Sequence, residues 1–373
     1  MQIVIDQDIP FIAEILKNYG DVLALPGAQI RNHHLTNADA LFIRTRTQVN
    51  QDLLQNTKVR FVATATIGTD HIDQKYCRSA GVQVVSAPGC NSGGVVQYVL
   101  TVLAHFSLKF KRNLRDLTLG VVGAGHVGSR LVTAAKILGM NVMVNDPPRA
   151  RIEGEAGFCS LHDLIAKADV ISLHVPLNKS GVDKTLGLIS GDSLAKMKSN
   201  VLLINTSRGG VIDESELLNH LNQDSIFCPS LVLDVWNKEP NIDLDLLKKT
   251  WIATPHIAGY SYEGKTNGSQ MVLRAFADYF NLNTLKKIEL SLPEAKTLEP
   301  SDAVDSMEQV LNYISACFDI FKLHRDLLND PPQFEALRVP AHSRREFGGW
   351  RLPGDPSADL NIPLSLGFLP PIS

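Results

Sequence analysis

Short runs of aliphatic and β-branched residues recur along the chain, separated by stretches whose apolar positions return at three- and four-residue steps. The runs at 3–6, 40–44, 61–66, 82–86, 118–122, 141–145, 170–174, 201–205, 231–235 and 251–253 read as strands. Their apolar character is too continuous for sheets with one wet face, and their alternation with helices predicts parallel sheets covered on both sides. The first four strands precede a helical stretch over 92–110, and the others follow it. This division predicts an α/β chain of two doubly wound domains, Rossmann-like or flavodoxin-like, joined by that helix.

Over 302–328 the spacing becomes that of one amphipathic helix, with Met307, Val310, Leu311, Ile314, Cys317, Phe318 and Phe321 on its apolar face. A basic stretch from Arg338 to Arg345 and a proline-punctuated end follow. Such a tail can bury little on itself, yet it carries Phe334, Leu337, Phe347, Trp350, Leu360, Leu366 and Phe368. The expectation is a small C-terminal α+β domain that meets a partner, most simply a second copy of the chain. Wrapping of the tail on its own subunit is the alternative.

A chain of 373 residues exceeds one ordinary core. A formal charge of −3 gives no electrostatic ground for nucleic acid or membrane surfaces as partners. No apolar run approaches the roughly 18 residues of a membrane span, and the first residues do not form a signal peptide. Cys77, Cys90, Cys159, Cys228 and Cys317 are scattered and odd in number. That argues against a disulfide framework or a metal site and for a reducing, cytoplasmic compartment.

Candidate chemistry begins at Gly123-Ala124-Gly125-His126-Val127-Gly128, between a strand and a helix, with Asp146 closing the next strand. That context makes a glycine motif a dinucleotide cradle, with the helix N-terminus facing the pyrophosphate. Asp146 suits the ribose hydroxyls of NAD and would repel the extra phosphate of NADP, although Arg149 and Arg151 nearby could tolerate it. Arg208 leaves the strand over 201–205, where a guanidinium can grip a carboxylate in bidentate fashion. Glu239 and His256 leave the next two strand ends. A carboxylate bonded to the imidazole would orient it for proton transfer.

These residues resemble the D-isomer-specific 2-hydroxyacid dehydrogenase family over roughly the first 285 positions. The likeness rests on the glycine motif, His174-Val175-Pro176-Leu177, Asn205-Thr206-Ser207-Arg208, the stretch from Asp234 to Pro240, and Pro255-His256-Ile257-Ala258. It implies NAD as cofactor and Arg208, Glu239 and His256 as catalytic residues. Cofactor contacts are implied at Gly123, Gly125, His126, Val127, Gly128, Asp146, Val175, Thr206, Ser207, Arg208, Asp234 and Gly259. It also implies a discontinuous substrate domain, 1–92 plus about 263–285, around an NAD-binding Rossmann domain over 93–262.

Within that family, Tyr260, the stretch from Ser261 to Lys265 and the extra C-terminal segment resemble members that act on a small phosphorylated 2-hydroxy acid. Those members form homodimers through a C-terminal domain, here 286–373. Substrate contacts are then implied at Thr45, Thr66 and Tyr260, with Arg44 and Arg46 adding charge unless they are only a solvated strand edge. Arg344 and Arg345 could reach across a dimer to a partner's site. The pair Gly93-Gly94 departs from the pattern, because it loosens the start of the long helix. Two other readings stay open: a dehydrogenase of the phosphoglycerate or glyoxylate/hydroxypyruvate type, and an NAD-sensing corepressor-like binding protein.

Overall fold

The computed structural model describes residues 1–223, 230–303, 305–354 and 360–372, so Cys228 lies outside the described residues. The chain divides into two compact units, Met1–Asn91 with Ser261–Pro293, and Ser92–Tyr260 with Glu294–Ser373. No helix among the described residues is long and apolar enough to cross a membrane.

The first unit holds five parallel strands: β1 (Gln2–Asp6), β2 (Asp21–Leu25), β3 (Ala40–Ile43), β4 (Phe61–Thr64) and β5 (Gln83–Val85). They lie in the order β2-β1-β3-β4-β5. β1, β3 and β4 are buried along nearly their whole length, as their apolar runs require. β2 is the strand that the apolar pattern does not announce. It is an edge strand whose residues are largely exposed, so it needs no such run. The helix Tyr262–Tyr279 covers this sheet, with Phe276 against Phe42 and Phe61.

The second unit carries β6 (Thr118–Val122), β7 (Asn141–Asn145), β8 (Val170–Leu173), β9 (Leu202–Asn205), β10 (Ser230–Leu233) and β11 (Ile252–Ala253). All pairings are parallel, in the order β11-β10-β9-β8-β6-β7. Leu202 and Ile204 enter one core, and Leu203 between them enters the other, so the sheet is buried on both faces. The helix Ser92–Phe110 fills the first of these cores with Tyr98, Val99, Leu100, Val102 and Leu103. At its opening Gly93 faces the Glu346 carboxylate, and Gly94 O accepts a hydrogen bond from Arg344.

One expectation for the tail is corrected. In place of one amphipathic helix there are two, Ser306–Ala316 and Ile320–Asn329, because Asp319 turns its side chain onto Lys322 N and caps a new helix. The apolar groups of the tail also find cover at home. Phe347 and Phe368 stack at 4.6 Å in the core of the Ser92–Phe110 helix, and Phe334 is buried in the other core. Trp350, Leu360 and Leu366 pack against the first core and Leu337 against the second. The tail therefore wraps its own subunit, and its burial needs no second copy.

Candidate active site

The strand order of the second unit reverses between β6 and β8, which makes their carboxyl ends a switch point where ligands gather. The glycine turn sits there. Gly123 has φ +87°, and a Cβ on it would lie 2.7 Å from His174 O and 2.8 Å from Val175. A Cβ on Gly128 would overlap Gly123 O, so the helix His126–Ile137 approaches the turn as closely as backbone permits. Gly125 differs from both. Nothing of the protein lies within 4 Å of a Cβ built on it, so the fold itself does not require glycine there. A bare backbone facing open space beside a helix N-terminus fits a dinucleotide pyrophosphate.

Asp146 caps the helix Pro147–Glu153 through Arg149 N and accepts from Ala124 N at 2.8 Å, fastening the turn to the end of β7. Its carboxylate has further lone pairs for ribose hydroxyls. The two nearby arginines are engaged elsewhere. Arg149 makes a forked pair with Glu153 and bonds Ala124 O, and Arg151 lies 2.5 Å from Asp183. Nothing in this arrangement reserves a cation for a second phosphate.

The catalytic candidates leave neighbouring strands. Asn205, at the end of β9, binds Ser207 N, Ser207 Oγ and Arg208 O and so shapes the turn that presents Arg208. Gly209 then passes so close to Trp236 O that any side chain would overlap it. This contact sets the Arg208 loop against the chain leaving β10. On that chain Glu239 accepts from Trp236 N through Oε1, and its Oε2 lies 2.7 Å from His256 Nδ1. A carboxylate only accepts, so Nδ1 carries the proton and Nε2 is left for a substrate.

His256 sits in the left-handed region, φ 56°, which costs a side-chain-bearing residue roughly 1–3 kcal/mol. The loop is held there by Asp234, which is 1% exposed. Its carboxylate accepts from Ile257 N, Ala258 N and Thr254 Oγ1, and its backbone oxygen from His256 N. Burial pushes the Asp234 carboxyl up, and His256 with those donors pulls it part of the way back. Tyr98 extends the bracing into the long helix through a 2.7 Å contact with Thr254. Asp234 thus braces the loop that carries His256 from behind.

Further side chains brace this region. His174, at the end of β8, lies 2.9 Å from Ser172 Oγ and 3.5 Å from Thr206, and burial pushes its imidazole down to about 3, so it is neutral. Glu214 braces Asn237 N at 2.7 Å, and burial raises its carboxyl to about 7. Tyr260, four residues past His256, is held by the tail: Arg338 donates to its hydroxyl and His342 stacks on its ring at 4.3 Å. Arg344, expected at a partner's site, is instead buried and donates to Ala258 O and Gly94 O of its own chain, and Arg345 donates to Glu294 O.

The first unit has its own switch point, between β1 and β3. Arg44, Thr45 and Arg46 follow β3, and Thr66 follows the adjacent β4, bonded to Thr64 and Gly68 O. Lys265, on the first turn of Tyr262–Tyr279, was not singled out in the sequence. Its ammonium is pushed down to about 8 by burial first and then by Arg44, with Asp8 opposing. Two cations crowd this strand end.

Residues 104–258 match the family model described as D-isomer specific 2-hydroxyacid dehydrogenase, NAD binding domain. The chain is 39% identical to the erythronate-4-phosphate dehydrogenase of Bacteroides thetaiotaomicron, over 95% of this chain and 99% of that protein. It is 38% identical to the enzyme of that name from Serratia proteamaculans, over 99% of this chain and 100% of that one. Among solved structures it is similar to NAD+-bound 3-phosphoglycerate dehydrogenase of Entamoeba histolytica (26% identity, TM-score 0.62, 78% of this chain and 99% of that one). The fold is also that of Aquifex aeolicus D-lactate dehydrogenase complexed with NAD and lactic acid (24% identity, TM-score 0.61, 77% of this chain and 97% of that one).

Proposed function

This chain belongs to the erythronate-4-phosphate dehydrogenases, within the D-isomer-specific 2-hydroxyacid dehydrogenase family, and from that premise we propose its substrate and the role of each site residue. The reaction is oxidation of 4-phospho-D-erythronate to (R)-3-hydroxy-2-oxo-4-phosphooxybutanoate, a step of pyridoxal 5′-phosphate synthesis. The observation that carries this reading is the 2.7 Å contact of His256 with Glu239, on a loop neighbouring the one that presents Arg208.

Arg208 grips the substrate carboxylate and draws charge from the C2 oxygen. His256 Nε2 removes the C2 hydroxyl proton, and Glu239 stabilises the imidazolium that forms. When bound, NAD supplies the acceptor for the C2 hydride. Gly123, Gly125, Gly128, His126 and Val127 line its pyrophosphate, and Asp146 its ribose. Val175, Thr206, Ser207, Asp234 and Gly259 would surround the rest. Thr45, Thr66 and Tyr260 contact the substrate, and Arg44, Arg46 and Lys265 offer charge to its phosphate.

The enzyme works in the cytoplasm as a homodimer through residues 286–373, where Val339 and Ile372 remain exposed. Sedimentation at twice the monomer mass supports the dimer, and a monomer at micromolar concentration removes it. NADH formation at 340 nm is the test of function, with 4-phosphoerythronate compared against erythronate and 3-phosphoglycerate. A preference for 4-phosphoerythronate in kcat/KM is expected. Better turnover of 3-phosphoglycerate would move the chain to another branch of the family.

A further inference from the structure

Tyr260 is gripped more firmly than a substrate contact on a loop end requires. Its backbone N–H bonds Ile257 O at 2.8 Å, which fixes the turn after His256. Its ring lies nearly parallel to His342, at an interplanar angle of 17°. Its hydroxyl accepts from Arg338, whose guanidinium carbon is 5.2 Å from the ring centroid. Arg338 is itself anchored, because a second arm of its fork bonds Glu335 at 2.9 Å. Two residues before Tyr260, Ala258 O accepts from Arg344, which is 7% exposed and sits 4.6 Å over Phe318. The tail thus touches positions 258 and 260, directly downstream of the catalytic histidine. None of Arg338, His342 or Arg344 belongs to the β6–β11 sheet or its connections.

We infer that Arg338 is a positioning residue for the dehydrogenase reaction: it holds the Tyr260 hydroxyl in the orientation from which that side chain meets the substrate, so that the tail sets substrate preference from within the same chain. The inference rests on Tyr260 being a substrate contact. A lysine cannot replace Arg338 fully, because a single ammonium lacks the planar fork that spans Glu335 and Tyr260. Burial works against the charge of the Arg338 guanidinium, and Tyr260, Glu335 and Glu239 together sustain it. Because Arg338 acts through Tyr260, removing both costs no more than removing the more important one.

The test is a double-mutant cycle on the full-length protein, Arg338→Met, Tyr260→Phe and the two combined, read as KM and kcat for 4-phosphoerythronate. NADH affinity by fluorescence and thermal midpoint are measured alongside. Each single change should raise KM about tenfold, the scale of one charge-assisted hydrogen bond, with kcat within about threefold. The double variant should match the worse single one, Arg338→Lys should recover part of the loss, and NADH affinity should be unchanged throughout. A product of the two single effects near a hundredfold, or a wild-type KM in Arg338→Met, overturns the inference. The cycle can be read on any 2-hydroxy acid that the unmodified chain oxidises, so failure of the proposed substrate, seen in that chain alone, is distinct from failure of the coupling.

Discussion

The two parallel sheets of this chain present two switch points of opposite character. In the second unit the strand ends carry a braced mechanism, with Asn205 shaping the Arg208 turn, Glu239 on His256 and Asp234 behind the loop. In the first unit Lys265 lies near Arg44, and burial first and then that guanidinium lower its ammonium. One switch point is organised around side chains held in fixed directions. The other is organised around accumulated positive charge. The same kind of topology serves both, and the difference lies in the residues placed at the strand ends and on the covering helix.

The comparison breaks first at His256. Replacing it with Ala should lower turnover about 10²–10⁴-fold, the usual loss for a positioned acid–base group, with NADH affinity retained. A variant keeping more than about a tenth of wild-type kcat would remove His256 from that role. A smaller effect is expected at Gly125, where Ala meets no protein atom. The thermal midpoint should stay put while NADH binds about tenfold more weakly, roughly one lost backbone contact to phosphate. A lowered midpoint with unchanged NADH affinity would make Gly125 a folding residue.

The smallest effect sharpens the first unit. Lys265→Met should raise KM for the phosphorylated substrate several-fold and barely change KM for erythronate, as loss of one phosphate contact implies. The sign with pH follows from the lowered ammonium: the cation is present below about 8 and lost above it, so wild-type KM should climb as pH passes through 8. Equal loss on erythronate would detach Lys265 from the phosphate.

Strand interiors were legible in the sequence because both sheets are buried on two faces and must be apolar throughout. Their ends were less so. The runs over 40–44, 61–66, 82–86, 170–174 and 231–235 each extend past the observed strand at its carboxyl end, at Ile43, Thr64, Val85, Leu173 and Leu233. Ala65, Thr66 and Val235 there still suit a strand, but Arg44, Ser86, His174 and Asp234 are polar, and the chain leaves the ladder at them. Arg208, Glu239 and His256 were legible by motif, order and spacing, and Glu239 and His256 do meet. Arg338, Lys265 and the bracing by Asp234 were not, since each depends on a neighbour that only folding supplies. The tail was misjudged for the same reason: the surface that covers it is a helix more than two hundred positions earlier.

That separation shapes the order of biosynthesis. Arg344 and Arg345 hold Gly94 and Gln97 across 250 and 248 positions of chain. The ribosome therefore delivers the strands of the Rossmann sheet well before the clasp beneath the histidine loop. Until Arg344 emerges, the chain just past His256 lacks the bond to Ala258 O that holds it.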